Sequence, residues 1–220
     1  MTALQDTERL IRALSADLRP VRRLWPPMLR AAAWIGVAGA AALVLAMFAD
    51  LAPMRHRLMA LPDLRLAVAG SVLTAVCASV SAFELSVPGR SGAWVLLPVP
   101  GVVLWLAASG LGCLRSWGLP GLEPATMQDA RGCVLFIALC SVPLLTVLLL
   151  MLRRAHPLQP GRVAALGGLA AAAASASLLT LFHQHDASAV DLILHVAAVG
   201  LVVVLTRGFG VRAFAVAEPS

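Results

Sequence analysis

The sequence predicts an all-α polytopic membrane protein of six transmembrane helices, with both termini cytoplasmic and a short amphipathic helix ahead of the first span. Three observations carry this reading: the composition, the length of the apolar runs, and the placement of arginine. Of 220 residues, 60% are hydrophobic and only 13% charged, with a mean hydropathy of +0.88. Soluble domains are about 45–50% apolar and about 25% charged. A soluble fold of this size exposes too much surface to hide the excess. That excludes a soluble enzyme and a disordered regulator.

Six apolar runs, at about 31–49, 66–85, 93–112, 133–152, 163–182 and 190–206, are each long enough to cross about 30 Å of hydrocarbon at about 1.5 Å per residue. Each is continuously apolar rather than alternating, which predicts helices and not a barrel. All 17 basic residues are arginine. The pI near 10.8 could suit a nucleic-acid binder, but the arginines stand in short clusters between the apolar runs, so no direct nucleic-acid contact is expected. Twelve fall on one side: Arg9, Arg12, Arg19, Arg22, Arg23, Arg30, Arg90, Arg153, Arg154, Arg162, Arg207 and Arg212. Five fall on the other: Arg55, Arg57, Arg65, Arg115 and Arg131. The positive-inside rule then puts both termini in the cytoplasm.

Small residues crowd the first span (Ala31–Ala33, Gly36, Gly39, Ala40–Ala42) and the fifth (Gly167, Gly168, Ala170–Ala174). In lipid such residues let helix backbones approach, so both spans are expected at helix contacts. No internal or inverted repeat is visible, which counts against a secondary transporter.

The chain divides into a cytoplasmic segment, 1–30, the bundle, 31–206, and a cytoplasmic tail, 207–220. The first 30 residues contain Asp6, Glu8 and Asp17 and no continuous apolar core, unlike a cleavable signal peptide. Leu4, Thr7, Ile11, Leu14, Leu18 and Val21 recur at steps of three and four, one face of a helix. Thr2 and Gln5 suit a capping box. Pro20 ends the helix, and Pro26–Pro27 break the chain before the first span. A helix this short is marginal alone in water. Its apolar face needs lipid, the loops of its own bundle, or a separate protein.

Chemistry is sparse. The spans carry no ladder of acids or histidines, and HExxH, GxSxG and Walker A patterns are absent, so neither an enzyme nor a proton-coupled carrier is expected. Glu84, Asp191 and His195 stand near span ends, within reach of the interface by snorkelling. Cys77 and Cys140 fall inside spans as small hydrophobes. Cys113 ends the third span and Cys133 opens the fourth, both on the outer face, where an oxidising compartment allows a bridge or another redox role. Closing that loop is worth about 3 kcal/mol in the loop-entropy picture. The outer loop His183-Gln184-His185-Asp186 offers metal-ligand types, with His183, His185 and Asp186 as candidates, though its spacing matches no metal motif. No cofactor is expected; a metal ion enters only as a stimulus.

Several segments together resemble the NrsF family: Leu18-Arg19-Pro20-Val21-Arg22-Arg23-Leu24 leading to Pro26-Pro27, then Ser86-Val87-Pro88-Gly89-Arg90-Ser91, Gly110-Leu111-Gly112-Cys113, and Gly132-Cys133-Val134-Leu135-Phe136. The likeness runs from about residue 8 to 205. It implies a six-helix protein of the bacterial inner membrane, an anti-sigma factor for an extracytoplasmic-function sigma factor of the F type. On that reading Leu4, Ile11, Leu14 and Leu18 dock on the sigma factor, and Arg22 and Arg23 either add electrostatic contacts or anchor the membrane end. Metals or oxidants on the periplasmic side are the implied stimuli, with outer-face cysteines as sensors. The sequence departs from the family where His-Cys is usual: His183 is followed by Gln184, so no thiol pair joins that loop to Cys133. Either sensing is confined to Cys113 and Cys133, the preferred reading, or the loop histidines substitute as metal ligands, or the signal differs. The competing readings are a structural or lipid-binding membrane protein and a small transporter subunit.

Overall fold

The structure, a computed structural model, describes residues 3–16, 23–118, 127–182 and 189–215. Among these residues the chain is all helical: α1 Ala3–Ala16, α2 Pro27–Ala46, α3 Leu51–Ala60, α4 Pro62–Leu85, α5 Val99–Gly118, α6 Met127–Arg153, α7 Pro160–Leu179 and α8 Ala189–Ala215, with a 3₁₀ turn at Gly92–Leu96 before α5. Six stretches are long and apolar enough to cross a membrane: Pro27–Ala46, Pro62–Leu85, Gly92–Arg115, Arg131–Arg153, Pro160–Leu179 and Ala189–Arg212. They match the six expected runs.

Three spans begin earlier than their apolar content suggests because a proline opens the helix. Pro27, Pro62 and Pro160 occupy the first turn, where the missing N–H has no partner to lose and the fixed φ already suits a helix. Pro27 therefore starts the first span rather than breaking the chain before it. At the other end α8 runs on to Ala215, so residues 207–215, expected as tail, continue the last helix. The connection between the first two spans is not a plain loop either. Asp50 accepts a hydrogen bond from the Ala52 amide at 3.1 Å and caps α3.

Two helices form the centre. α7 packs against α4, α6 and α8, and α4 against α2, α5 and α7, while α8 also touches α6 and α5. Most of α7 is buried, including the run Ala170–Ala174, as its small side chains allow. Serines bridge the helices: Ser141 donates to Ser175 at 3.1 Å between α6 and α7, and Ser71 lies 2.8 Å from Ser177 between α4 and α7. The Trp34 indole donates to the Leu144 carbonyl at 3.0 Å, tying α2 to α6.

The first span corrects one expectation. Gly36 and Gly39 border open space: a Cβ added at either would meet nothing within 4 Å among the described residues, and both glycines are exposed. Their smallness serves no helix contact within this part of the chain; α2 packs through Arg30, Ala31 and Trp34 instead.

Gly70 is the opposite case. A Cβ there would come within 2.5 Å of the Trp105 amide nitrogen and 2.8 Å of its Cα. Backbone cannot turn aside as a side chain can, so α4 and α5 would have to separate. Gly70→Ala is expected to cost about 1–3 kcal/mol, lowering the thermal midpoint in detergent micelles. Gly36→Ala should leave it unchanged or slightly raised; equal midpoints for the two variants would refute this account of the α4–α5 contact.

Candidate functional site

The spans alternate in direction, so the bundle has an end holding the starts of α2, α5 and α7 with the ends of α4, α6 and α8, and a far end holding the remaining termini. Chemistry collects at both.

At the first end Arg30 is buried on the opening turn of α2. Its guanidinium reaches the Ser86 hydroxyl at 3.4 Å, donates to the Met151 carbonyl, and lies 4.8 Å from the centre of the Phe83 ring. One side chain thus joins α2, α4 and α6. An arginine suits the position because its fork of donors and flat cation serve several partners at once. Ser86 completes the knot by donating to the Phe83 carbonyl at 2.6 Å.

The turn that follows explains the Ser-Val-Pro-Gly-Arg segment. Gly89 has φ +81°, a left-handed conformation that side chains resist. It folds Arg90 back toward α4, where Nε lies 3.0 Å from Glu84 Oε2. Glu84 is 3% exposed, so it does not snorkel to the interface as its position in sequence suggested. The separation is that of a hydrogen bond, but Oε2 has no hydrogen-bond partner among the described residues; the contact is electrostatic. Burying a carboxylate is costly unless a cation or hydrogen bonds accompany it, and Arg90 is the cation beside this one.

In sequence, α1 precedes the helix that opens at this end. Every side chain described from Gln5 to Ala16 is exposed. Leu10, Ile11 and Leu14 are each at least 59% exposed, so the apolar face is presented rather than packed. Arg12 pairs with Glu8 at 3.1 Å one turn away, an exposed i,i+4 contact that supports the helix by only a few tenths of a kcal/mol, roughly 0.3–0.5. Arg23 is exposed. Thr2, Leu18, Val21 and Arg22 lie outside the described residues, as does the side chain of Leu4.

At the far end Arg115 of α5 pairs with Asp63 of α4 at 3.0 Å. Nearby, the His195 ring nitrogen Nδ1 is 2.8 Å from the Asp191 carbonyl and 3.3 Å from its carboxylate. Asp191 and Cys133 are buried, and the donor atoms of Cys133, Asp191 and His195 all lie within 4.8 Å of one another. A cavity of about 120 Å³ opens beside Asp191 and His195, its wall including also Ser71, Trp105 and Arg115. Asp191 and His195 therefore face inward and not toward the interface. Cys113 is buried on α5. The loop residues His183, His185 and Asp186 lie outside the described residues.

Sequence reasoning named Cys133 as a redox candidate and Asp191 and His195 as polar groups near a span end, but did not group the three. Asp191 and His195 stand one helical turn apart, a spacing that places them on one face. That signal was readable; the adjacency of α6 and α8 was not.

The described residues define a helical bundle with six helices long and apolar enough to cross a membrane and an α1 whose apolar residues are exposed. The particular family is given by sequence: residues 14–215 match the NrsF family, negative regulator of sigma F. The chain belongs to that family, and the match covers nearly its whole length. No curated protein and no solved structure matches the chain.

Proposed function

We propose that this protein is a membrane-bound anti-sigma factor that sequesters an extracytoplasmic-function sigma factor at the cytoplasmic face and releases it on a periplasmic stress signal, a metal or an oxidant. Family membership over residues 14–215 carries the reading. The exposed apolar residues of α1 supply a docking element of the helix-in-groove kind. Ile11 and Leu14, with Leu4 and Leu18, form the contact, and Arg22 and Arg23 add charge. The excess of arginine at the N-terminal end supports a bacterial inner-membrane protein with both termini in the cytoplasm. Cys113 and Cys133 are then the sensing candidates on the opposite face.

Release requires that an event at the far end favour one of two bundle arrangements. Arg30 joins α2, α4 and α6, and the Arg90 turn holds Glu84 at the same end; α2 is the helix that follows α1 in sequence, so these are the parts through which such a shift reaches the docking end.

The test is co-purification in detergent from the native cell, comparing the full chain with a variant lacking residues 1–24. A sigma factor recovered with the full chain and lost with the variant is the expected result. Recovery with both would move the contact to the loops. No sigma factor with either, in unstressed cells, would overturn the reading and favour an α1 that lies on anionic lipid.

A further inference from the structure

We infer that Cys133, Asp191 and His195 form a binding site for a thiophilic divalent cation of the zinc or cadmium kind, linking α6 to α8 at the far end of the bundle. Their donor atoms lie within 4.8 Å of one another although Cys133 is on α6 and the other two are on α8. A thiolate, a carboxylate and an imidazole are the donors that borderline and soft cations select; magnesium and calcium want oxygen alone. Two anionic donors and one neutral donor also leave a bound M²⁺ with no net charge. That balance matters in a site made by the ends of two membrane spans.

The surroundings agree with exchangeable binding. Three protein ligands leave a fourth position for water or another small ligand, and the cavity of about 120 Å³ reaches Asp191 and His195. Arg115 shares that cavity wall and would oppose a cation, but Asp63 pairs with it at 3.0 Å. The contact of His195 Nδ1 with the Asp191 carbonyl at 2.8 Å fixes the ring, the kind of support that bound imidazoles receive.

Binding has a definite chemical and mechanical outcome. The Cys133 thiol reacts as thiolate: its S–H proton leaves to solvent, an S–M bond forms, and no electrons are transferred. In a tetrahedral zinc site donor atoms stand about 3.3–3.5 Å apart, given metal bonds of about 2.0–2.3 Å. The donors already lie within 4.8 Å of one another, and because Cys133 stands on α6 and the other two on α8, closing them on one ion clamps the starts of those two helices together. The site itself stands on the bundle alone; its use as the stimulus rests on the anti-sigma reading above.

The test uses the purified full chain in detergent, without any sigma factor, titrated with Cd²⁺ alone and then displaced with Zn²⁺. The readout is the ultraviolet absorption of a thiolate–cadmium bond. One equivalent per chain is expected, with the band unchanged in Cys113→Ala and Cys140→Ala and absent in Cys133→Ala. Asp191→Asn and the shape-conserving His195→Gln should each weaken binding by roughly tenfold or more, with helix content by circular dichroism unchanged. No band in the parent chain, a band surviving Cys133→Ala, or parental affinity in His195→Gln would each overturn the site. Any of these leaves the co-purification result standing, so the two readings fail separately.

Discussion

Replacing Ile11 and Leu14 by aspartate is expected to strip the sigma factor from the purified protein while leaving the bundle inserted. Both side chains are exposed, at 59% and 66%, so the substitutions remove no contact within the chain, and exposed changes of this kind usually alter stability by no more than about 0.5 kcal/mol. Burying an aliphatic side chain of this size contributes about 1.5–3 kcal/mol. Two of them lost from one interface, with charge put in their place, should weaken binding by at least about a hundredfold. Co-purification measures the loss, and membrane extraction with protease accessibility checks that insertion is intact. Undiminished recovery of the sigma factor would refute docking through this face.

Arg90→Ala should be strongly destabilising at the same end of the bundle. Glu84 stays buried when its cation is removed, and a buried charge without its partner costs about 3–5 kcal/mol. Arg90 is itself half-exposed, which lets solvent reach the pair, so the lower part of that range is expected. Glu84→Gln removes the charge while keeping the shape. The double variant Arg90→Ala with Glu84→Gln should recover most of the lost stability. Thermal unfolding in micelles distinguishes the cases: a double variant no more stable than Arg90→Ala alone would mean that the pair is incidental. Because Ser86, two residues beyond Glu84, also holds Arg30, sigma-factor retention by Arg90→Ala would show whether this end of the bundle communicates with α1.

Much of the fold was legible because lipid simplifies the sequence. Each span had to be a continuous apolar run, and its backbone had to satisfy itself as a helix. Proline positions refined the starts: once Pro27, Pro62 and Pro160 are read as first-turn residues, the three early boundaries follow. The two Ala- and Gly-rich spans looked alike, yet the small residues of α7 lie at helix contacts while Gly36 and Gly39 of α2 face open space. Composition says that a close approach is allowed; only the arrangement of helices says whether it is used.

The polar residues were harder to read for a related reason. Glu84 stands at a span end, where snorkelling is the ordinary outcome, and its burial depends on a left-handed Gly89 that returns Arg90 to it. Cys133 lies 58 residues before Asp191 in sequence, and nothing local records that α6 and α8 are neighbours. The helical face of α1, by contrast, was plain from spacing alone, since it needs no partner to be recognised. Its described part, Ala3–Ala16, stops short of Leu18 and Arg22.

The small side chains of α7 also bear on how the chain enters the membrane. This is the least apolar of the six spans and the most enclosed by protein. Alanine, glycine and serine gain little from lipid, so α7 has the weakest drive to leave the translocation channel unaided. Its neighbours α4 and α6 are made first and α8 emerges last. The order of synthesis therefore prepares a seat for α7 before it appears, and α8 then closes that seat. The bundle's centre is the part whose topology depends most on the helices around it.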